Sequence, residues 1–326
     1  MPEGYAQQGK AVKVKKGLYG LKQSAALYCL YTNKERDLFV IIHIDDFQAF
    51  SPYRSKIIKL FKALNQRFPI SAVKSDLFLR LKITATTDQL TITQGHYTRE
   101  LLKRHGLENC KLAATPLEQL LEPTNDRVVS SRKKEYNSII SGVQYLSYNT
   151  RPDVTHATNH LARFNKNPSE EHLRAARRLL RYLASDPDKG ITIHKNSKPE
   201  LEAYTDSDFG GDPSTAKSTT GSLIRLGGPI SWTSKLQSNV VRQLLKELDL
   251  ISHIQNGKRP NVYVDNQSAI SLVKNHANHK RSKHIAVRNY YCREQYDSGK
   301  IDVVYVPTTK QLADAFTKVK SPVVIR

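Results

Sequence analysis

Three aspartates in the second half of the chain stand where carboxylates could meet. Asp206 ends a predicted strand, Asp265 ends a later strand, and Asp314 lies in the last predicted helix. Carboxylates at strand ends can converge at one edge of a sheet, where they repel one another unless cations lie between them. Two Mg²⁺ (or Mn²⁺) ions held by shared carboxylates can activate a water and stabilise the leaving oxygen of a phosphodiester. We therefore predict a metal site, the alternative being three unrelated surface aspartates.

A second carboxylate pair, Asp45 and Asp46, lies in the first half of the chain. It follows the short apolar run Leu38–Ile42, which fits a buried strand, and falls in a predicted tight hairpin. Adjacent carboxylates are costly there unless they are solvated or bound to a metal. The pair indicates either a metal-binding turn or an ordinary polar turn, in which Asp is common.

The elements that would position the three distant aspartates follow an α/β order. The pattern predicts strands at 201–206, 219–226, 230–233, 261–265 and 301–306, and helices at 240–255, 267–275 and 288–298. A last helix is predicted to begin at Thr308, because Thr308 and Gln311 have the spacing of a capping box. This order predicts an α/β fold, with helices packed on a sheet.

The first half is predicted to be mixed α/β. A helix with apolar residues at 57, 61, 64 and 68 follows the hairpin around Asp45. A second hairpin is predicted at 77–92, and a helix from Tyr97 ends before Gly106. Residues 118–135 are polar and predict a linker, and residues 136–185 are predicted to be largely helical.

Positive charge dominates the composition. The chain has 51 Lys and Arg against 30 Asp and Glu, a formal net charge of +21. Phosphate backbones are the commonest partner of such a surface, although a ribosomal or merely basic protein has the same balance. Around the apolar stripe of residues 173–183, four arginines form either a phosphate-facing surface or a solvated helix face: Arg174, Arg177, Arg178 and Arg181.

Length and composition bound the class of protein. The 326 residues, 39% of them hydrophobic, suit two folded domains. Cys29, Cys110 and Cys292 are far apart and predict neither a disulfide framework nor a zinc site. We expect no signal peptide and no membrane span, because no stretch approaches the ~18 apolar residues of a span. An intracellular location, in the cytoplasm, the nucleus or both, is expected.

Several motifs recur in a recognisable order along the chain. In the second half they are Tyr204–Asp208, Lys217–Gly221, Ile230–Lys235, Val264–Ile270, His279–Ile285 and Ala313–Lys318. In the first half they are Lys16–Ser24, Ile44–Asp46, Thr93–Tyr97, Ala114–Leu117 and Tyr145–Val154. This series resembles the reverse transcriptase and RNase H regions of Ty1/copia-type retrotransposon Pol polyproteins. For the basic stretch alone, a metal cluster of His276, His279 and His284 is an alternative.

The resemblance implies three parts and two activities. A partial reverse transcriptase palm is expected at 1–117, a helical connection at 118–194, and an RNase H-like domain with a mixed five-stranded sheet at 195–320. The implied activities are RNA-directed DNA synthesis and RNA removal, acting on RNA, DNA and RNA–DNA hybrids, with two Mg²⁺ per intact site. Other proteins encoded by the same element are further expected partners.

The resemblance also carries roles to individual residues. Asp206, Asp265 and Asp314 match three of the family's four metal-binding RNase H carboxylates, and Asp45 and Asp46 match its reverse transcriptase pair. Basic residues of the matching segments and the arginine-rich helix are candidate nucleic-acid contacts: Lys22, Arg174, Arg178, Lys217, Lys283 and His284.

The sequence departs from the family pattern at both sites. The fourth RNase H carboxylate of the family is a glutamate early in the helix after the third strand, but here Ser238–Val241 runs directly into Arg242–Glu247, and Glu247 matches a later position. The third reverse transcriptase aspartate belongs upstream of Met1, and a further gap is expected near Ser24. The family's Leu-Gly before the primer-holding hairpin is Leu79-Arg80. We expect one missing metal ligand at each site, and impaired catalysis.

Four hypotheses therefore stay open from the sequence. The chain is an enzyme with both activities, a residual metal-dependent ribonuclease H, a non-catalytic basic nucleic-acid-binding relic, or a poorly folding product of a decayed element or an imperfect gene model. Metal-dependent cleavage of a hybrid separates the second from the third.

Overall fold

A computed structural model of the chain describes residues 30–43, 46–68, 70, 77–124, 130–194, 200–208, 217–236, 259–274 and 286–319. The chain divides into two compact units, Met1–Phe78 and Leu79–Arg326. The expected boundaries at 117 and 194 stay predictions. No helix of the described ranges is both long and apolar enough to cross a membrane.

Among its described residues, the first unit contains a three-stranded antiparallel sheet and one helix. Its elements are β1 (Leu30–Thr32), β2 (Phe39–His43), β3 (Asp46–Phe50), α1 (Arg54–Asn65) and the two-residue strand β4 (Leu77–Phe78). The predicted hairpin is confirmed, because β2 pairs with β3 from Phe39↔Phe50 to His43↔Asp46. The last pair of this register, His43↔Asp46, places Asp46 at the end of the hairpin, whereas Asp45 lies outside the described residues.

The second unit begins with a small antiparallel sheet and a helical layer. The sheet contains β5 (Leu81–Ala85), β6 (Gln89–Thr93) and β7 (Gly190–His194), in that order. The helices are α2 (Gly95–Arg104), α3 (Ser130–Asn149), α4 (Thr155–Ala162) and α5 (Glu170–Ser185). Their apolar faces form the largest core, with Leu101, Ile140 and Leu180 fully buried. The predicted stripe of α5 lies in this core, as the 3.6-residue spacing of a helix requires.

Two local predictions in this region need correction. The segment 118–135 is not all linker, since α3 begins at Ser130; its charged first turn hid a helix whose apolar residues start at Tyr136. Leu79 and Arg80, predicted in an alternating strand, both adopt the left-handed conformation, with φ of 52° and 61°. Glycine adopts this conformation without steric cost, so Arg80, which stands where the resemblance implies a glycine, places strain at this turn.

A five-stranded mixed sheet forms the rest of the second unit. Its strands are β8 (Leu201–Ser207), β9 (Thr219–Leu226), β10 (Pro229–Leu236), β11 (Asn261–Val264) and β12 (Asp302–Tyr305). Their order across the sheet is β10-β9-β8-β11-β12. The three successive strands pair antiparallel, whereas β11 runs parallel to both β8 and β12. The predicted α/β fold with a mixed five-stranded sheet is confirmed.

The described α-helices of this part lie between β11 and β12 in the chain. They are α6 (Gln267–Lys274) and α7 (Ala286–Asp297), and both were predicted. The predicted helix at 240–255 lies outside the described residues. The last predicted helix is instead two 3₁₀ turns, Thr308–Lys310 and Leu312–Phe316.

The capping box predicted for that last helix does not form. The Gln311 side chain accepts a hydrogen bond from the Ala313 N–H, and its amide donates to the carbonyls of Thr205 and Tyr263. Gln311 therefore ties the second 3₁₀ turn to two strands of the sheet. These contacts interrupt the helix, which explains why a local spacing rule predicted the wrong cap.

Candidate metal centre

The three aspartates predicted from the sequence lie together in the structure. Asp206 lies on β8, Asp265 directly follows β11, and Asp314 lies in the 3₁₀ turn Leu312–Phe316. Each offers a carboxylate oxygen, and these oxygens are all within 4.8 Å of one another. The distances therefore contradict the alternative that the three aspartates are unrelated positions on the surface.

Parallel pairing explains how Asp206 and Asp265 meet. Tyr263 of β11 is the register partner of Tyr204 of β8. Residues two positions further along each strand stand at the same level and project from the same face. Asp206 and Asp265 are those residues, so their proximity follows from the register alone.

Two threonines of the following segments orient these carboxylates. The Thr317 hydroxyl donates to Oδ2 of Asp206 at 2.5 Å, and the Thr308 hydroxyl donates to Oδ2 of Asp265 at 3.2 Å. Hydrogen bonds from neighbouring groups to a metal-binding carboxylate fix the orientation of that carboxylate. The two threonines therefore belong to the support of the site.

The third carboxylate reaches the site because β9 carries no side chain at one position. Gly221 of β9 is paired with Asp206 on one side and with Ser234 on the other. A Cβ at this glycine would lie 2.7 Å from the Ala313 carbonyl oxygen and from Cβ of Phe316. The 3₁₀ turn that bears Asp314 thus packs directly on the backbone of β9.

Asp314 is the most buried member of the cluster. Its relative exposure is 1%, and its Oδ1 is buried without a hydrogen-bond partner. Burial raises the pKa of Asp314, and the neighbouring Asp206 carboxylate raises it further, while the hydrogen bond from Lys318 acts in the opposite direction. A buried carboxylate oxygen without a donor is costly, and a cation would satisfy it. The three oxygen donors suit Mg²⁺ or Mn²⁺.

The remaining predicted site residues are distributed differently. Within the described ranges, no further Asp, Glu, His or Cys joins the three aspartates. Asp46 begins β3. Lys217 precedes β9 and is exposed, as is Arg174 on α5. Four of the predicted positions, together with the stretch where the fourth carboxylate is expected, lie outside the described residues: Asp45, Lys22, Lys283, His284 and 237–258.

One candidate nucleic-acid contact is engaged within the protein. Arg178 forms an ion pair with Glu118 at 2.5 Å and donates hydrogen bonds to the carbonyl oxygen and the hydroxyl of Thr115. On the same helix, Arg177 pairs with Glu135 and Arg181 donates to the Lys111 carbonyl. These contacts support a structural role for part of the basic helix.

The supporting residues of the centre were missed in the sequence although they lie inside the motifs. Gly221 ends the motif Lys217–Gly221, and Thr317 and Lys318 end Ala313–Lys318. Their roles depend on close approach and hydrogen bonding between segments about a hundred residues apart, as between Thr317 and Asp206. Motif membership was the only signal that could have drawn attention to them.

A cavity of about 360 Å³ lies apart from the carboxylates. Its walls include Tyr148, His156 and Arg163 of the helical layer and Ser234 and Lys235 of β10. None of the three aspartates lines it. The chemistry of the candidate centre therefore belongs to the sheet edge, not to this cavity.

The five-stranded mixed sheet with three converging carboxylates has the α/β arrangement expected of an RNase H-like fold. No protein-family model matches the chain. Retrovirus-related Pol polyproteins do: that of transposon RE1 of Arabidopsis thaliana is 31% identical over 97% of this chain, and that of transposon TNT 1-94 of Nicotiana tabacum is 30% identical over 98%. An uncharacterized mitochondrial protein of Arabidopsis thaliana is 30% identical over 63% of this chain and 86% of its own length.

The chain belongs to the Ty1/copia-type retrotransposon Pol polyprotein family. It spans about a quarter of the length of the RE1 and TNT 1-94 polyproteins, 25% and 28% respectively. A solved structure of a foamy viral protease-reverse transcriptase in complex with dsDNA matches 82% of this chain and 55% of that chain, with a TM-score of 0.45 and 16% identity.

The alignment with RE1 also bears on the expected internal gaps. It runs over 370 positions although this chain has 326 residues, so at least 44 positions, the difference between the two, face gaps in this chain. This excess agrees with the expectation that segments within the family's pattern are missing. The positions near Ser24 and between Val241 and Arg242 stay predictions.

Proposed function

We propose that this chain carries the metal centre of an RNase H-type nuclease, which acts on the RNA strand of RNA–DNA hybrids with impaired efficiency. The observation that carries the proposal is the convergence of Asp206, Asp265 and Asp314, with a buried oxygen of Asp314 left unpartnered. The family membership supports the choice of a retroelement polymerase and RNase H region.

The three aspartates would hold Mg²⁺ or Mn²⁺ through their carboxylate oxygens. A bound ion supplies positive charge at the phosphodiester and makes a coordinated water more acidic. Thr317 and Thr308 keep the carboxylates of Asp206 and Asp265 oriented toward the common point. Burial of Asp314 keeps water away from one side of the centre, which strengthens its electrostatic attraction for a cation.

Impairment is proposed because the family's fourth carboxylate has no counterpart at its expected place in the sequence. A two-metal site that lacks one shared ligand should lose metal affinity and water activation together. We propose the nuclease centre for this chain, because carboxylate oxygens of Asp206, Asp265 and Asp314 lie within 4.8 Å of one another. We also propose a cytoplasmic or nuclear location and the domain boundaries at 117 and 194, as expected from the sequence.

The test combines cleavage of a labelled RNA–DNA hybrid with direct measurement of Mn²⁺ binding by calorimetry. We expect slow cleavage that requires Mg²⁺ or Mn²⁺, and Asp265→Asn should lower both rate and Mn²⁺ affinity by at least about 10-fold. Asp302→Asn on β12, which removes a carboxylate of the same sheet outside the cluster, is the matched control and should behave as the wild type.

The outcomes separate the hypotheses. Cleavage by Asp265→Asn at the wild-type rate comes from a contaminant and contradicts the nuclease proposal. A metal-binding relic is supported if the wild type binds Mn²⁺ but does not cleave the hybrid, and if Asp265→Asn loses the Mn²⁺ binding. The second candidate function is a basic nucleic-acid-binding protein, which the net charge of +21 favours. Binding of hybrids by a wild type that binds neither Mn²⁺ nor Mg²⁺ would support this second function.

A further inference from the structure

Lys318 forms the one strong polar contact that links a basic side chain to the described carboxylate cluster. Its Nζ lies 2.8 Å from Oδ2 of Asp314, while the Asp314 side chain is 2% exposed and that of Lys318 is 43% exposed. Its backbone N–H also donates to the Asp314 carbonyl at 3.0 Å. Lys318 is therefore held one turn beyond Asp314, with its ammonium directed at a predicted metal ligand.

The charge balance of the cluster gives this contact a consequence. Three carboxylate oxygens within 4.8 Å of one another repel strongly when all three groups are ionised. The ammonium of Lys318 offsets part of this repulsion, and it does so on one oxygen of Asp314 while Oδ1 has no partner. A divalent cation that binds Asp314 must approach the same carboxylate and would repel the ammonium.

We propose that Lys318 is the built-in counter-ion of the carboxylate centre, and that its ammonium leaves Asp314 when a divalent cation binds. This inference rests on the proposed metal centre and adds a competitor to it. The lysine keeps the three carboxylates together without a metal. It also lowers the affinity of the centre for the metal, because binding must first break the Lys318–Asp314 contact.

The competing explanation is an ordinary ion pair near the surface. Such pairs change stability little and would leave metal binding unaffected. The two explanations differ in the metal affinity expected when the charge of Lys318 is removed and its length is kept.

The experiment compares Lys318→Met with the wild type by Mn²⁺ titration in a calorimeter and by thermal unfolding with and without Mn²⁺. We expect Lys318→Met to bind Mn²⁺ about 3- to 10-fold more tightly, a Coulomb effect discounted for the partial exposure of the lysine. Without metal, its unfolding midpoint should fall below that of the wild type, and Mn²⁺ should raise the midpoint by more than it does in the wild type.

Two further variants make the result specific. Lys318→Arg keeps the charge and should retain the wild-type affinity for Mn²⁺. Lys310→Met removes an exposed cation from the neighbouring turn Thr308–Lys310 and should change neither measurement. Circular dichroism of each variant confirms folding before titration.

Each outcome decides between the proposals. Equal Mn²⁺ affinity of Lys318→Met and the wild type overturns the counter-ion while the metal centre stands. Weaker binding by Lys318→Met also overturns it, since the lysine would then position Asp314 for the metal. Binding by Lys318→Met alone supports the counter-ion and means that the wild-type centre is closed to metal. Binding by neither protein overturns both proposals.

Discussion

Single residues around the metal centre owe their roles to burial. His156 of α4 is 6% exposed, and its Nδ1 lies 3.3 Å from the Ser234 hydroxyl, which in turn donates to the Phe316 carbonyl. Because that hydroxyl hydrogen is committed to Phe316, Nδ1 of the ring donates to Ser234. The ring is neutral at pH 7 because burial disfavours its charged form. Burial lowers the pKa of His156 to about 4. This histidine connects α4 with β10 and with the turn that bears Asp314.

The neutral His156 predicts a specific pH dependence of stability. Its pKa is lower in the folded chain than the ordinary value of 6.5, so the unfolded chain binds more protons between about pH 6.5 and 4. The contribution of His156 to the free energy of unfolding is therefore fully present above about pH 6.5 and is lost as the pH is lowered through this range. From pH 7.5 to 5 the loss from this residue is about 2 kcal/mol.

Urea unfolding at pH 7.5 and 5 checks the prediction. His156→Gln should reduce the difference in unfolding free energy between the two pH values. A residual difference should remain, since burial also lowers the pKa of His172. His96→Gln, which replaces a largely exposed histidine, is the control. An unchanged difference in His156→Gln would count against the neutral buried histidine.

At the scale of elements, the backbone of β9 decides where Asp314 lies. The row Ser234, Gly221 and Asp206 runs across three neighbouring strands, and the turn Leu312–Phe316 lies against its middle. A side chain at Gly221 would meet backbone and Cβ atoms, not the flexible end of a side chain. The turn, and Asp314 with it, would have to move.

Gly221→Ala is therefore expected to damage the metal centre from a residue that binds no metal. The added methyl group should destabilise the fold by about 1–3 kcal/mol through overpacking. It should also weaken Mn²⁺ binding, by about 10-fold if Asp314 is displaced as its supporting contacts require. Chemical denaturation and Mn²⁺ calorimetry measure the two effects.

Ser222→Ala is the matched control on the same strand. It removes the contact between the Ser222 and Thr233 hydroxyls on the opposite face of the sheet and should leave Mn²⁺ affinity unchanged. Normal Mn²⁺ affinity in Gly221→Ala would mean that the position of the turn Leu312–Phe316 does not require a glycine at residue 221.

At the scale of the second unit, motifs far apart in the sequence contact one another. Trp232 of the motif Ile230–Lys235 donates to the Ser147 carbonyl of the motif Tyr145–Val154 at 2.7 Å. Within the latter motif, Arg151 is 1% exposed and pairs with Asp153 through two hydrogen bonds. Arg151 also donates to the Asp186 carbonyl after α5. The Trp232 contact joins the helical layer to β10, and the Arg151 contacts connect segments within that layer.

The excess positive charge of the whole chain predicts salt-dependent binding of nucleic acid. Affinity for an RNA–DNA hybrid, measured by fluorescence anisotropy in EDTA, should fall at least about 10-fold between 50 and 200 mM salt, because bound cations are released from the phosphates. Asp265→Asn should bind as the wild type does, since this binding requires no metal.

Two arginines of α5 test which part of the basic helix contributes. Arg174→Gln should reduce the slope of log affinity against log salt by about one, because Arg174 is exposed. Arg178→Gln should leave the slope unchanged, because Arg178 is engaged with Glu118 and Thr115. An affinity that does not change with salt would argue against phosphate binding altogether.

Much of this protein follows from short-range patterns in its sequence. Alternating and helical periodicities predicted the hairpin β2–β3, the strands of the mixed sheet, helices α1, α2, α6 and α7, and a largely helical stretch at 136–185, because the spacing of apolar residues follows the period of each element. Asp206, Asp265 and Asp314 were identified because strand ends in an α/β order converge. The periodicity failed where polar contacts replaced it, at the first turn of α3 and in the turns after Pro307.

Only the tertiary structure decided how the three carboxylates are supported. The contacts of Gly221 with Ala313, of Thr317 with Asp206 and of Lys318 with the buried Asp314 were not identified from the sequence. Two of them join residues about a hundred positions apart, and burial of Asp314 needs the whole sheet in place. Close approach, hydrogen bonding and desolvation are properties of neighbouring atoms in space, and spacing along the chain does not encode them.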